Sequence, residues 1–348
     1  MGDKVRWPWA LRALPLLILL LNAGEAARAV RSGWGEALIL LAGTAALLVL
    51  PYGRLARRLA SWEGRLGGLL FLALVGGAVY APLLAPNDPN AQFQPAVCRY
   101  LPPLSSAWQD PATEKFSLEP GPGARRFSFP LGTDGYGRCI LSRVLAGGRV
   151  SLAIGLLSVF LTLALGVLVG GMAGYYGGLV DGILMRLVDT LLAFPRLFLL
   201  LMLAGILEKQ LSILGIVLIL GALSWMEVAR LVRGQVLTLK ERDFVTAARA
   251  IGASDARILG HHILPHLAGL LLIDATLRIG GIILTEAALS FLGLGVQPPN
   301  ASWGNIIADG KEALTDGWWV STFPGLAMLL TVFALYLMGE SGMRRPER

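Results

Sequence analysis

Val150–Met172 carries no charged side chain and is long enough to cross a bilayer as a single helix. In hydrocarbon every backbone polar group must be satisfied within the segment, so such a run has no alternative to a helix. Leu66–Ala85 is a second full-length span, ended by the prolines and asparagines of APLLAPNDPN. Further apolar runs cover Leu211–Met226, Leu267–Leu294 and Val320–Gly339, and Ile183–Leu207 reads as a helix kinked at Pro195. Ala13–Gly24 and Ala37–Pro51 fall short of a span, but flanking Trp9, Arg12, Arg28 and Arg31 at the interface extend them into an N-terminal hairpin. The expected fold is an all-α polytopic membrane protein of about eight transmembrane helices, a six-helix core plus this hairpin. Composition agrees, with 55% hydrophobic and 15% charged residues among 348.

The net charge of +7 does not point to nucleic acid, because the basic residues cluster beside apolar runs and act as cytoplasmic anchors. The charge rule puts both termini, the basic Arg54–Arg65 linker and residues 241–265 on the cytoplasmic side. The expected organisation is a hairpin and basic linker (1–60), a first core helix (61–85), an extracytoplasmic loop (86–149) and a transmembrane domain (150–343). Nine prolines between Pro86 and Pro130 make that loop irregular. Val150–Met172 is rich in small residues (Gly155, Gly166, Gly170, Gly171), which permit close helix contact.

Glu241–His266 is a charged, helix-forming island between two apolar segments. Phe244, Ala247, Ala248 and Ile251 fall on one helical stripe, and Gly252 is a natural left-handed stop. Ser254 is placed to cap a second short helix, Asp255–Ile263, with Pro265 in the first turn of the next. The expectation is two short helices at a fixed elbow, with an apolar knuckle outward, a shape for docking on a partner.

Ala247-Ala248, Gly252-Ala253 and Ile263-Leu264-Pro265 resemble the EAA coupling loop of ABC importer permeases. Ala229–Ile258, Glu286–Asn305, Phe129–Arg138 (FPLGTDGYGR) and Ala173–Asp189 are similar to the C-type permease of the dipeptide/oligopeptide/nickel family. Thr246 departs from it, standing where the family usually has the Glu of EAA. The resemblance implies a multi-pass permease of a prokaryotic inner membrane, moving peptides or related solutes. It implies a second homologous permease, two ATPase subunits that hold ATP and Mg, and an extracytoplasmic solute-binding protein. The ATPase contact would fall on Phe244, Thr246, Ala247, Ala248, Gly252, Ala253, Ile263, Leu264 and Pro265.

No catalytic constellation is present. The three histidines, His261, His262 and His266, lack the carboxylate or cysteine that would complete a metal site. No P-loop occurs, so the chain binds no nucleotide in that manner and is not expected to be an enzyme. Ionisable residues inside a span are costly and therefore informative. Asp274 and Arg278, four apart, can neutralise each other. Glu286 either lies by the translocation path or makes a structural hydrogen bond to a neighbouring helix. An ion-coupled transporter using Asp274, Arg278 and Glu286 as a relay is the alternative function. Asp134 and Arg138 sit in an outer element that receives a binding protein, covers the pore mouth, or simply turns before a helix. Cys98 and Cys139 both fall in the outer loop, and Cys139 stands where the resembled family usually shows Asp. A bridge between them is expected, worth roughly 3–4 kcal/mol through loop closure.

Overall fold

The computed structural model describes residues 62–206 and 212–343. The N-terminal hairpin expected within residues 1–60 lies outside them. The chain begins with α1 (Trp62–Val79) and a short α2 (Ala81–Leu84). The segment between α2 and the next long helix contains α3 (Pro95–Cys98), β1 (Ser105–Gln109), β2 (Phe116–Ser117) and β3 (Arg125–Phe129). Then come α4 (Ile140–Tyr176), α5 (Gly178–Leu192), α6 (Arg196–Ile206), α7 (Ile213–Ala222) and α8 (Trp225–Leu239). The short α9 (Asp243–Ala250) precedes α10 (Asp255–Phe291), α11 (Trp303–Gly310) and α12 (Trp318–Met343). Four of these helices are long and apolar enough to cross a membrane, and six spans result if the bent pairs α5–α6 and α7–α8 each count as one. On the second count the described residues match the expected six-helix core.

The proline-rich segment is more ordered than its composition suggests. Its strands form an antiparallel sheet in the order β2-β1-β3, with Ala107 opposite Phe127 and Ser105 opposite Phe129. Prolines flank the strands rather than interrupt them, so no ladder hydrogen bond is lost. Phe93, Phe116, Phe127 and Phe129 pack on one face, with Phe93 edge-on to both Phe116 and Phe129. Cys98 and Cys139 are fully buried in the same cluster as free thiols, so the expected bridge is not formed. Each packs as a small apolar side chain. Burial raises the Cys98 thiol to about 11.

The next helix starts at Ile140, ten residues before the apolar run predicts, because the polar first turns are buried against α11. Gly147 abuts Ser302, and Trp303 donates from Nε1 to the Val144 carbonyl. With 37 residues, α4 is roughly 55 Å long, more than the hydrocarbon thickness of a bilayer. Its C-terminal half packs on α8 through Gly166, Gly170 and Gly174. A Cβ at Gly170 would fall 2.3 Å from the Ala229 carbonyl oxygen, closer than any real contact. Small residues every fourth position let the two backbones touch.

Candidate functional site

The coupling stretch is built from α9 and the base of α10. Helix α9 ends in a Schellman motif: Ala253 N–H donates to the Ala248 carbonyl and Gly252 N–H to that of Arg249. Gly252 takes φ +82°, the left-handed conformation its sequence position predicts. The expected apolar stripe is divided, however. Val245 and Ala248 are buried and Phe244 half-buried, while Thr246, Ala247 and Ile251 face outward, Ile251 being 85% exposed.

The second short helix does not exist as a separate element. Asp255–Arg257 passes through a π-helical turn, Ile258–Ile263, straight into Leu264–Phe291. Pro265 has no N–H to give, and the wide turn absorbs that loss, with Leu264 N–H reaching back to the Leu259 carbonyl. Ser254 occupies the N-cap with an extended backbone but makes no side-chain capping bond. Ile258 and Ile263 are fully buried anchors, and Leu264 and Ala253 pack against the same core.

Several contacts bind this element to the rest. Phe244 stacks on His266, whose Nδ1 donates to the His262 carbonyl at 2.6 Å. Tyr175 at the C-terminal end of α4 donates to Asp255 at 2.6 Å, and Lys240 donates to the Gly174 carbonyl at 3.2 Å. Arg233 of α8 grips Asp181 of α5 through two hydrogen bonds. Helix α9 is therefore a rigid foot on a 37-residue lever.

At the other end of that lever lies Glu286, completely buried. Its carboxylate accepts from Ser290 (2.7 Å), Ser302 (3.0 Å) and Ser151 (3.4 Å). Ser302 also opens α11 in a capping box with Asn305, and Ser151 accepts from Trp303 N–H. Glu286 thus joins α4, α10 and α11, the structural alternative for this residue.

Residues 166–345 match the model of the binding-protein-dependent transport system inner membrane component. The chain belongs to this family. It is 41% identical over 283 residues to the di/tripeptide transport system permease protein DppC of Pseudomonas aeruginosa, covering 81% of this chain and 86% of that one. It is 36% identical over 277 residues to the glutathione transport system permease protein GsiD of Pectobacterium atrosepticum, covering 80% and 83%. Over 244 residues it is 37% identical to the oligopeptide transport system permease protein OppC of Mycobacterium tuberculosis, covering 70% and 82%. This chain is a permease subunit of an ABC importer.

In this permease FPLGTDGYGR is locked in place rather than free to receive a partner through its charges. Asp134 and Arg138 are buried and paired at 2.6 Å, and Arg138 also holds Asp309 of α11 at 2.8 Å. Arg143 reaches Asp309 at 3.3 Å. Burial raises the Asp309 carboxyl above its ordinary range against the pull of both arginines. Trp318 is exposed, whereas Trp303 and Trp319 are buried, and Trp319 donates to the Thr133 carbonyl.

Asp274 and Arg278 pair as their spacing predicts, at 2.6 Å, but Arg278 also binds Glu227 of α8 at 2.7 Å. Glu227, Arg196, Asp309 and Ser151 were not legible as partners, because each contact joins distant segments. A signal exists for Arg196, a charge immediately after Pro195 within an apolar run. Among the described residues no group of His, Cys, Asp and Glu is arranged to hold a metal.

Proposed function

We propose that this permease carries di- or oligopeptides, or small solutes delivered in the same way, with energy from ATP hydrolysed on partner subunits. The observation that carries this reading is α9: exposed at Thr246, Ala247 and Ile251, closed by a Schellman motif, and seated on the base of α10. Two ATPase subunits holding ATP and Mg would press on that foot. A second homologous permease would complete the pore, and an extracytoplasmic solute-binding protein would deliver the solute. Both termini and residues 241–265 would then lie in the cytoplasm, with residues 86–139 outside.

The push would travel along α10. Because Phe244 of α9 stacks on His266, and α10 runs through its π turn without a break, displacement of α9 would tilt Asp274, Arg278 and Glu286 together. Two alternative packings of α10 against α4 and α8 would give outward and inward access. The names of the relatives support peptides as cargo. The ion-coupled reading is disfavoured because Arg278 already binds both Asp274 and Glu227, and Glu286 is sealed by serines.

Reconstitution tests the proposal. Membranes holding this chain with its companion subunits should take up a labelled dipeptide when loaded with ATP and binding protein. Uptake that proceeds without ATP, or persists when Ile251→Asp abolishes ATPase docking, overturns it.

A further inference from the structure

The break between α5 and α6 and the break between α7 and α8 meet. The first bends the chain by 80° at Ala193–Pro195, the second by 42° at Leu223–Ser224. Arg196 Nη2 donates to Ser224 Oγ at 2.8 Å, tying the two breaks together. Beside them lies a cavity of about 230 Å³, lined by Phe194, Pro195, Arg196, Leu223, Met226 and Glu227 among others. Both breaks fall near the middle of their helix pairs, Gly178–Leu192 with Arg196–Ile206 and Ile213–Ala222 with Trp225–Leu239.

The charges around it are unequally satisfied. Arg278 takes both nearby carboxylates, Asp274 at 2.6 Å and Glu227 at 2.7 Å. Arg196 is left with a serine; among the described residues no carboxylate comes within ion-pair distance of it. Its Nε is buried and has no hydrogen-bond partner. An arginine in that state inside a span is costly unless something completes it. Two half-helices also start here, α6 at Arg196 and α8 at Trp225. Their first N–H groups lack intrahelical acceptors and carry the positive end of the helix dipole.

We propose that this cavity is a transient site for the carboxylate of the transported solute, with Arg196 as its receptor. A guanidinium presents parallel donors that match a carboxylate, and the only hydrogen-bond partner of Arg196 among the described residues is the Ser224 hydroxyl. The volume takes the carboxyl end of a peptide rather than a whole peptide. The site rests on the reading of this chain as a peptide importer, and it places a second checkpoint for the free C-terminus inside the permease.

The test uses membrane vesicles holding the assembled transporter with Leu199→Cys, a cavity-lining position, as an alkylation reporter. The native Cys98 and Cys139 are fully buried and serve as a silent background. Dialanine should protect the reporter, and its C-terminal amide should not. Arg196→Gln should raise the protecting concentration roughly tenfold, and Arg196→Lys less, because lysine keeps the charge but loses the fork. Equal protection by acid and amide, protection that survives Arg196→Gln, or no protection at all overturns the site. ATP-driven dialanine uptake, measured on the same vesicles, judges the transport reading separately. Protection without uptake sinks that reading and leaves the site standing.

Discussion

Phe244 of α9 and His266 of α10 lie face to face, ring centroids 4.8 Å apart and planes 15° from parallel. This stack is where a force received by the short helix enters the long one. Phe244→Ala removes an aromatic contact worth about 0.5–1.5 kcal/mol beyond its buried area. ATP-driven uptake should fall several-fold while the protein still inserts, and Phe244→Tyr should restore most of it. Transport that is insensitive to Phe244→Ala at equal membrane abundance removes the stack from the coupling route.

Gly252 stands at φ +82° with open space where a Cβ would be. Substitution there meets backbone strain and no clash, at roughly 1–2 kcal/mol for an ordinary residue. Gly252→Val should uncouple ATP hydrolysis from uptake, and Gly252→Asn should be much milder, because Asn tolerates the left-handed region. The contrast is read from the ratio of ATP hydrolysed to solute accumulated; equal ratios in Val and Asn variants refute the conformational argument.

Glu286 gathers three hydroxyls and no cation. Glu286→Ala would orphan Ser151, Ser290 and Ser302 in a buried site, at about 1–3 kcal/mol for each group left unsatisfied. Glu286→Gln keeps an acceptor and should be the gentler change. Thermal unfolding of the detergent-solubilised protein should rank wild type above Gln and Gln above Ala. If Gln is instead the more damaging, the ionised carboxylate itself is what the site requires.

Asp309 has its carboxyl raised chiefly by burial, so the folded state binds its proton more tightly than the unfolded chain does. Its contribution is therefore most favourable below the unfolded carboxyl range. It declines as pH rises through the folded value. Asp309→Asn should flatten that decline in a comparison of unfolding across pH 4 to 7. An unchanged slope means that another carboxyl dominates.

Cys98 and Cys139 should resist alkylation in intact membranes. Once the protein is denatured, both should label fully without reductant, as free thiols do. Labelling that still requires reductant after denaturation would restore the bridge.

The membrane class, the long helices and the left-handed stop at Gly252 were legible in the chain itself. Each follows from local physics: an apolar run must satisfy its own backbone, and a glycine after a helical stripe ends it. The same local reasoning put Pro265 rightly in the first turn of Leu264–Phe291 but erred in separating that helix from the one before it. In the fold a π turn carries the helix through that residue, because Ile258 and Ile263 are both buried and hold the segment straight. It erred again in the outer loop, where prolines signal irregularity but leave room between them for three strands. Partnerships lay beyond it altogether. Asp274 and Arg278 are four apart and could be paired from spacing. Glu227, 51 positions from Arg278, and Asp309, 171 from Arg138, are brought in only by helix packing. Which buried charge finds a counter-charge, and which one, like Arg196, does not, depends on distances between segments. Those distances are a property of the tertiary structure alone.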